Sequence, residues 1–189
     1  MKKLPDPHFQ GRLDVFCALY AVINALVLTH DIPPLRGRQI LHEGILDMAR
    51  DMDRFKLQLD QNMEFHAVVD AALNREVLRQ DLMITTPFSL EVEVPKEEVW
   101  SRITQWVKRP KRAVILRFVR PLDKPGRPEI RHWSTGYAME DDAIQLYDCS
   151  LESTAIQEIP KEVCITTPLG LKPGLIYLDP ASIRLLAAG

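Results

Sequence analysis

Residues 15–30, "VFCALYAVINALVLTH", constrain this chain most, because they read as a helix that is apolar nearly all round. A helix with no polar face cannot lie on a surface and has to be covered on every side. The chain has 189 residues, 46% of them hydrophobic, which is enough to build that cover as one sizeable core. No repeat, low-complexity tract or Gly/Ser linker divides it, so a single domain over residues 1–189 is expected. Asp14 stands where it could cap the helix, and "DIPPL" ends it.

The hydrophobic period then changes along the chain. "GRQILHEGILDMARDMD", with apolar Ile40, Leu41, Ile45, Met48 and Met52, and "NMEFHAVVDAALNR", behind an Asn62 cap, predict amphipathic helices. "PKEEVWSRITQWVKR" predicts another, with proline in its first turn and acids at its positive end. "DLMITT", the β-branched "RAVILRFV" and "GLIYLDP" read as strands, and "RPLDKPGRPEIR" reads as a loop. "HWSTGYAM", "EDD" and "AIQLYDCS" read as strand, turn and strand. Helices first and strands afterwards predict an α+β fold, its helical N-terminal half packed on an antiparallel sheet.

Charge narrows the function classes. A net charge of −2 gives no reason to expect nucleic acid or a membrane as partner. From Arg102 to Arg131, however, ten Lys/Arg face two Asp/Glu, a surface that would suit an acidic partner and that otherwise reads as a solvated rim. The lead "MKKLPDPHFQ" has prolines and an aspartate in place of an apolar signal core, so a soluble, cytoplasmic protein is expected. Cys17, Cys149 and Cys164 form neither a disulfide framework nor a CxxC metal pair, and no cofactor is expected.

Cys17 lies at the mouth of the buried helix, where unpaired N–H groups and the helix dipole favour an anion. A catalytic thiol needs more help than that, in the form of an imidazole to take its proton. His30 and His42 lie near helix ends, His66 lies inside a helix and His8 in the loose lead, all places where a solvated or capping role is commoner. His132 opens a strand on which Ser134, Gly136 and Ala138 share its face, small residues that would let a helix approach. A turn at Met139–Asp141 would pair Ala138 with Asp142 and set Asp148 opposite His132, as an orienter of its tautomer. Gln10, seven residues before Cys17, could give a side-chain N–H to an oxyanion, with Gly11 bending the chain between them. Asn24, the one strongly polar residue inside the apolar helix, should bond internally, and Trp133 should point away from His132 by alternation.

The order Gln10, Cys17 at a helix start, "HW" at His132 and "LYD" at Asp148 resembles the papain-like cysteine peptidases. It is most similar to the bacterial branch that processes bacteriocin leader peptides at double-glycine sites, and to its free-standing relatives. The resemblance implies that fold, a peptide or protein substrate, Cys17 as nucleophile, His132 as base, Asp148 as orienter and Gln10 as oxyanion donor. The chain departs from the branch in lacking its "DCG", with "VFCAL" instead, and in placing Ser134 and Thr135 after the histidine.

Peptide hydrolysis is thus the leading expectation. The same constellation serves deamidation, transglutamination and acyl transfer, which differ in what accepts the acyl group. A non-catalytic binding module of the same fold is a further alternative. A metal site from Cys17, His132, Cys149 and Cys164 has the ligand types without closely spaced pairs.

Overall fold

The computed structural model describes residues 6–9, 16–59, 65–89, 93–123, 129–150 and 155–189. Helix α1 (Cys17–His30) is followed by α2 (Pro34–Ala49), α3 (Met52–Leu59) and α4 (His66–Val77). Strand β1 (Leu82–Thr85) and helix α5 (Lys96–Val107) lead into β2 (Arg112–Pro121), β3 (Glu129–Glu140), β4 (Ala143–Leu146), β5 (Glu158–Pro160), β6 (Cys164–Ile165) and β7 (Ile176–Ala188). The sheet runs β1-β7-β2-β3-β4-β5, antiparallel throughout except where the short β6 pairs with β7 in parallel. The chain is therefore α+β in the order its periodicity predicts. Among the described residues no helix is long and apolar enough to cross a membrane.

Helix α1 is covered as its composition demands: Ala18, Leu19, Val22, Ile23, Ala25 and Leu26 are fully buried. It packs on β2, β3 and β7 with α2 and α4 beside it. Each large aliphatic side chain so buried stabilises the fold by about 1.5–3 kcal/mol relative to exposure. Alternate residues of β2 serve opposite layers. Ala113 and Ile115 join the α1 layer, whereas Val114, Leu116 and Phe118 join a second core under Val99, Trp100 and Ile103 of α5. Burial on both faces explains why "RAVILRFV" carries no polar alternation.

Two polar side chains inside this framework, Asn24 and Thr135, bond to backbone. Asn24 accepts from His8 N at 2.8 Å and donates to His8 O, pinning the lead onto α1, so it bonds internally as its sequence position suggests. Thr135 Oγ1 donates to Ala21 O at 2.9 Å, tying β3 to the same helix. Thr135 and Trp133 therefore face α1, and the small residues Ser134 and Gly136 do not: a Cβ on Gly136 would stand 2.9 Å from Ile144 Cγ2. The expected close helix approach at those small residues is corrected to a strand-to-strand contact.

Two other expectations are also revised. The loop reading of "RPLDKPGRPEIR" yields at both ends to strand, because β2 extends to Pro121 and β3 begins at Glu129. The strand at "GLIYLDP" continues to Ala188, since Ile183, Leu185 and Leu186 find a core on each side of the sheet. Asp14 and Asn62, the expected caps, lie outside the described residues. Within the basic run, Arg112 lies 4.0 Å over the Trp106 ring, Arg117 is buried against Asp179 and Arg131 pairs with Glu129.

Where α1 crosses α2, a Cβ on Gly44 would meet Leu19 Cδ1 at 2.6 Å. Gly44→Ala should gain up to about 1 kcal/mol in helix propensity and lose about 1–3 kcal/mol to overpacking, because Leu19 has no room to swing aside. Thermal unfolding should therefore show net destabilisation, and a raised melting temperature would mean that Leu19 repacks freely.

Candidate active site

Cys17 is the first residue of α1, with Phe16 as N-cap and no side-chain cap. Phe16 O accepts from Leu19 N and Tyr20 N at 2.9 and 3.1 Å, so the amides of Cys17 and Ala18 precede the first intrahelical bonds. The thiol is thus held at the positive end of a helix that the core keeps in place.

His132 and Asp148 come from the β3–β4 hairpin, whose register differs from the expected one. The turn is the two-residue Asp141–Asp142, both at positive φ (47° and 57°), and Ala138 pairs with Gln145 instead of Asp142. Aspartate tolerates the left-handed conformation that such tight hairpin turns require. A register shift between Gly136 and Ala138 then adds Tyr137 to β3, so the ladder continues as Gly136↔Leu146 and Tyr147 N bonds Thr135 O at 2.7 Å. Extending that register sets Ser134, not His132, opposite Asp148.

The carboxylate nevertheless reaches the imidazole diagonally. Asp148 Oδ2 and Oδ1 lie 3.1 and 3.3 Å from His132 Nε2. Ser134 Oγ donates to Oδ2 at 2.5 Å and Ser150 N to Oδ1 at 2.6 Å, so both carboxylate oxygens are anchored by groups other than the imidazole. The pairing of β4 with β3 stops at Leu146, which leaves His132 at an edge that both layers reach. Phe118 meets the ring edge-on at 5.6 Å, and the Cys17 thiol stands near enough to act on the same imidazole's pKa. Cys149 Sγ is 3.9 Å from Nε2.

Burial by itself lowers the His132 pKa, but Asp148, Cys149 and Cys17 outweigh it and hold the imidazole well above its ordinary value. For Asp148 burial acts to raise the pKa, and the bonds from His132, Ser134 and Ser150 prevail and lower it. Burial pushes the Cys149 thiol up to about 11 and the Cys164 thiol up to about 12, which keeps both protonated at neutral pH.

Three of the four residues read from the sequence therefore come together: Cys17, His132 and Asp148. Gln10 lies outside the described residues. Ser134 and Cys149 were not among them. Ser134 had a legible signal, a hydroxyl two residues from His132 on one strand face; Cys149 had none, because strand alternation ends with β4. Cys164 sits on β6 in the α5 layer, so the four-residue metal set is not assembled. His132, Asp148 and Cys149 instead present ligand atoms within 4.8 Å of one another. His66 is not solvated: it starts α4 with its ring edge-on to Trp133 and Nε2 3.3 Å from Asp179 Oδ2, because Trp133 faces that layer. Neither a family model nor a curated protein matches the chain.

The raised His132 and lowered Asp148 pKa values give the pair a definite pH window. His132 stabilises fully below its unfolded value of 6.5 and loses that contribution as pH rises through its folded value. Asp148 stabilises fully above 3.8 and loses its contribution as pH falls through its folded value. The loss of melting temperature in Asp148→Asn should thus be largest between pH 3.8 and 6.5 and shrink on either side, as measured by calorimetry across pH. A pH-independent loss would show that the two groups are not an ion pair.

Proposed function

We propose that the chain is a thiol hydrolase with a papain-like fold, acting as a cysteine peptidase. One observation carries the reading: a buried imidazole whose pKa a nearby helix-terminal thiol raises and which a carboxylate with two further anchors orients. Asp148 occupies Nε2 and so leaves Nδ1 to take the Cys17 proton. The thiolate attacks the substrate carbonyl, and the Cys17 N–H at the helix start stabilises the oxyanion, joined by Gln10. The imidazolium protonates the leaving amine as the C–N bond breaks. Water, deprotonated by His132, then hydrolyses the thioester and frees Cys17.

An acceptor other than water would turn the same acyl-enzyme to transglutamination or acyl transfer, and a glutamine side-chain amide as substrate would give deamidation. A binding module has no use for an oriented imidazole beside a thiol.

Iodoacetamide at neutral pH, followed by peptide mapping, should label Cys17 well ahead of Cys149 and Cys164, and equal labelling would favour the binding module. Mass spectrometry of an unfolded protein substrate should show new chain ends, whereas a mass gain of about one dalton without cleavage would indicate deamidation. Cys17→Ser should lower kcat at least about 10³-fold. Ser134→Ala, which removes a bond to a charged group, should lower it about tenfold or more and Ser134→Thr less.

A further inference from the structure

We propose that His132, Asp148 and Cys149 form a site for a thiophilic divalent cation of the zinc type, and that its occupation silences the Cys17 thiol. The ion site stands on geometry alone; the silencing rests on the function proposed above. An imidazole nitrogen, a carboxylate oxygen and a sulfur are the mixed donor set that zinc takes with three protein ligands and one open position. Around a tetrahedral zinc, such donors are separated by roughly 3.4–3.6 Å. Here Nε2 lies 3.1 Å from Asp148 Oδ2 and 3.9 Å from Cys149 Sγ, each a few tenths of an ångström from those separations, and all three donors lie within 4.8 Å of one another.

The surroundings fit as well. Ser134 and Ser150 hold the carboxylate from outside, the kind of support that orients metal ligands. All three residues are buried, Cys149 to 1% exposure, where an uncompensated charge is costly. A dication with one carboxylate, one thiolate and one neutral imidazole is a neutral unit. On binding, the thiol proton of Cys149 leaves to solvent as the metal–sulfur bond forms, and the imidazole gives up its Nε2 proton to solvent and takes one at Nδ1, staying neutral as Nε2 bonds the metal. The imidazole is then protonated only at Nδ1 and has no lone pair to accept the Cys17 proton. Cys149, the thiol idle in peptide hydrolysis, acquires a role as ligand.

The test is a Zn²⁺ titration of the purified full chain against a chromophoric chelator, with Co²⁺ as spectroscopic substitute. One ion per chain should bind, with a sulfur-to-cobalt charge-transfer band in the near ultraviolet. Cys17→Ser should keep the band and bind within about threefold of the parent, whereas Cys149→Ser should lose the band and bind at least about tenfold more weakly. The opposite pattern, or no stoichiometric binding, overturns the site. If Cys149→Ser does not fold, the parent chain with Cys17 carbamidomethylated decides: the band persists if Cys149 is the ligand and disappears if it is not. Zn²⁺ should also slow iodoacetamide labelling of Cys17, and unchanged labelling with the ion bound overturns the silencing. A Cys17 that never labels fast, in a chain that binds the ion through Cys149, would sink the peptidase reading and leave the ion site standing.

Discussion

Helix α1 has no side that tolerates water, and the molecule is arranged around that fact. The sheet lies under it, α2 and α4 flank it, and Asn24 holds the His8 backbone against it. Because Leu19, Ile23 and Leu26 are each locked in the core, the first residue of the helix cannot wander. Burial that serves stability thus also fixes the position of the Cys17 sulfur, and the bond from Thr135 to Ala21 O ties β3, which carries His132, to the same helix.

Asp148 is the hub of the candidate site. A buried carboxylate is costly unless it is bonded, and this one receives a hydroxyl, a backbone amide and an imidazole. The serine and amide fix the carboxylate before the imidazole meets it, so the imidazole inherits its orientation. The second buried carboxylate cluster, Asp179 with Arg117 and His66, obeys the same rule, and among the described residues no hydrogen bond joins it to a cysteine. Solvation cost accounts for both clusters; chemistry is at issue only where a nucleophile joins.

Cys17, His132 and Asp148 were legible because each stands at the end of a strongly patterned element. The apolar helix announces its own start, and a hairpin brings strand ends together under any short turn. The pairing was not legible. Counting a three-residue turn put Asp148 opposite His132, whereas the Asp141–Asp142 turn and the extra Tyr137 put Ser134 there. Turn type and bulges depend on backbone conformations that several sequences share, and a side chain as long as aspartate bridges the difference diagonally. Cys149 was invisible for a related reason: past Leu146 the chain leaves the ladder, and no period tells which way a side chain turns.

The sequence by itself determined the α+β order, the burial of α1 and the choice of thiol, imidazole and carboxylate, since hydrophobic period and residue chemistry are local properties. Only the tertiary structure decided that Ser134 anchors Asp148, that Cys149 rather than Cys164 shares the imidazole, and that His66 belongs to a separate cluster. Those contacts join residues through the register of strands and the packing of layers. Register and layering follow from the sum of many weak burial terms over the whole chain, which no single stretch of sequence contains.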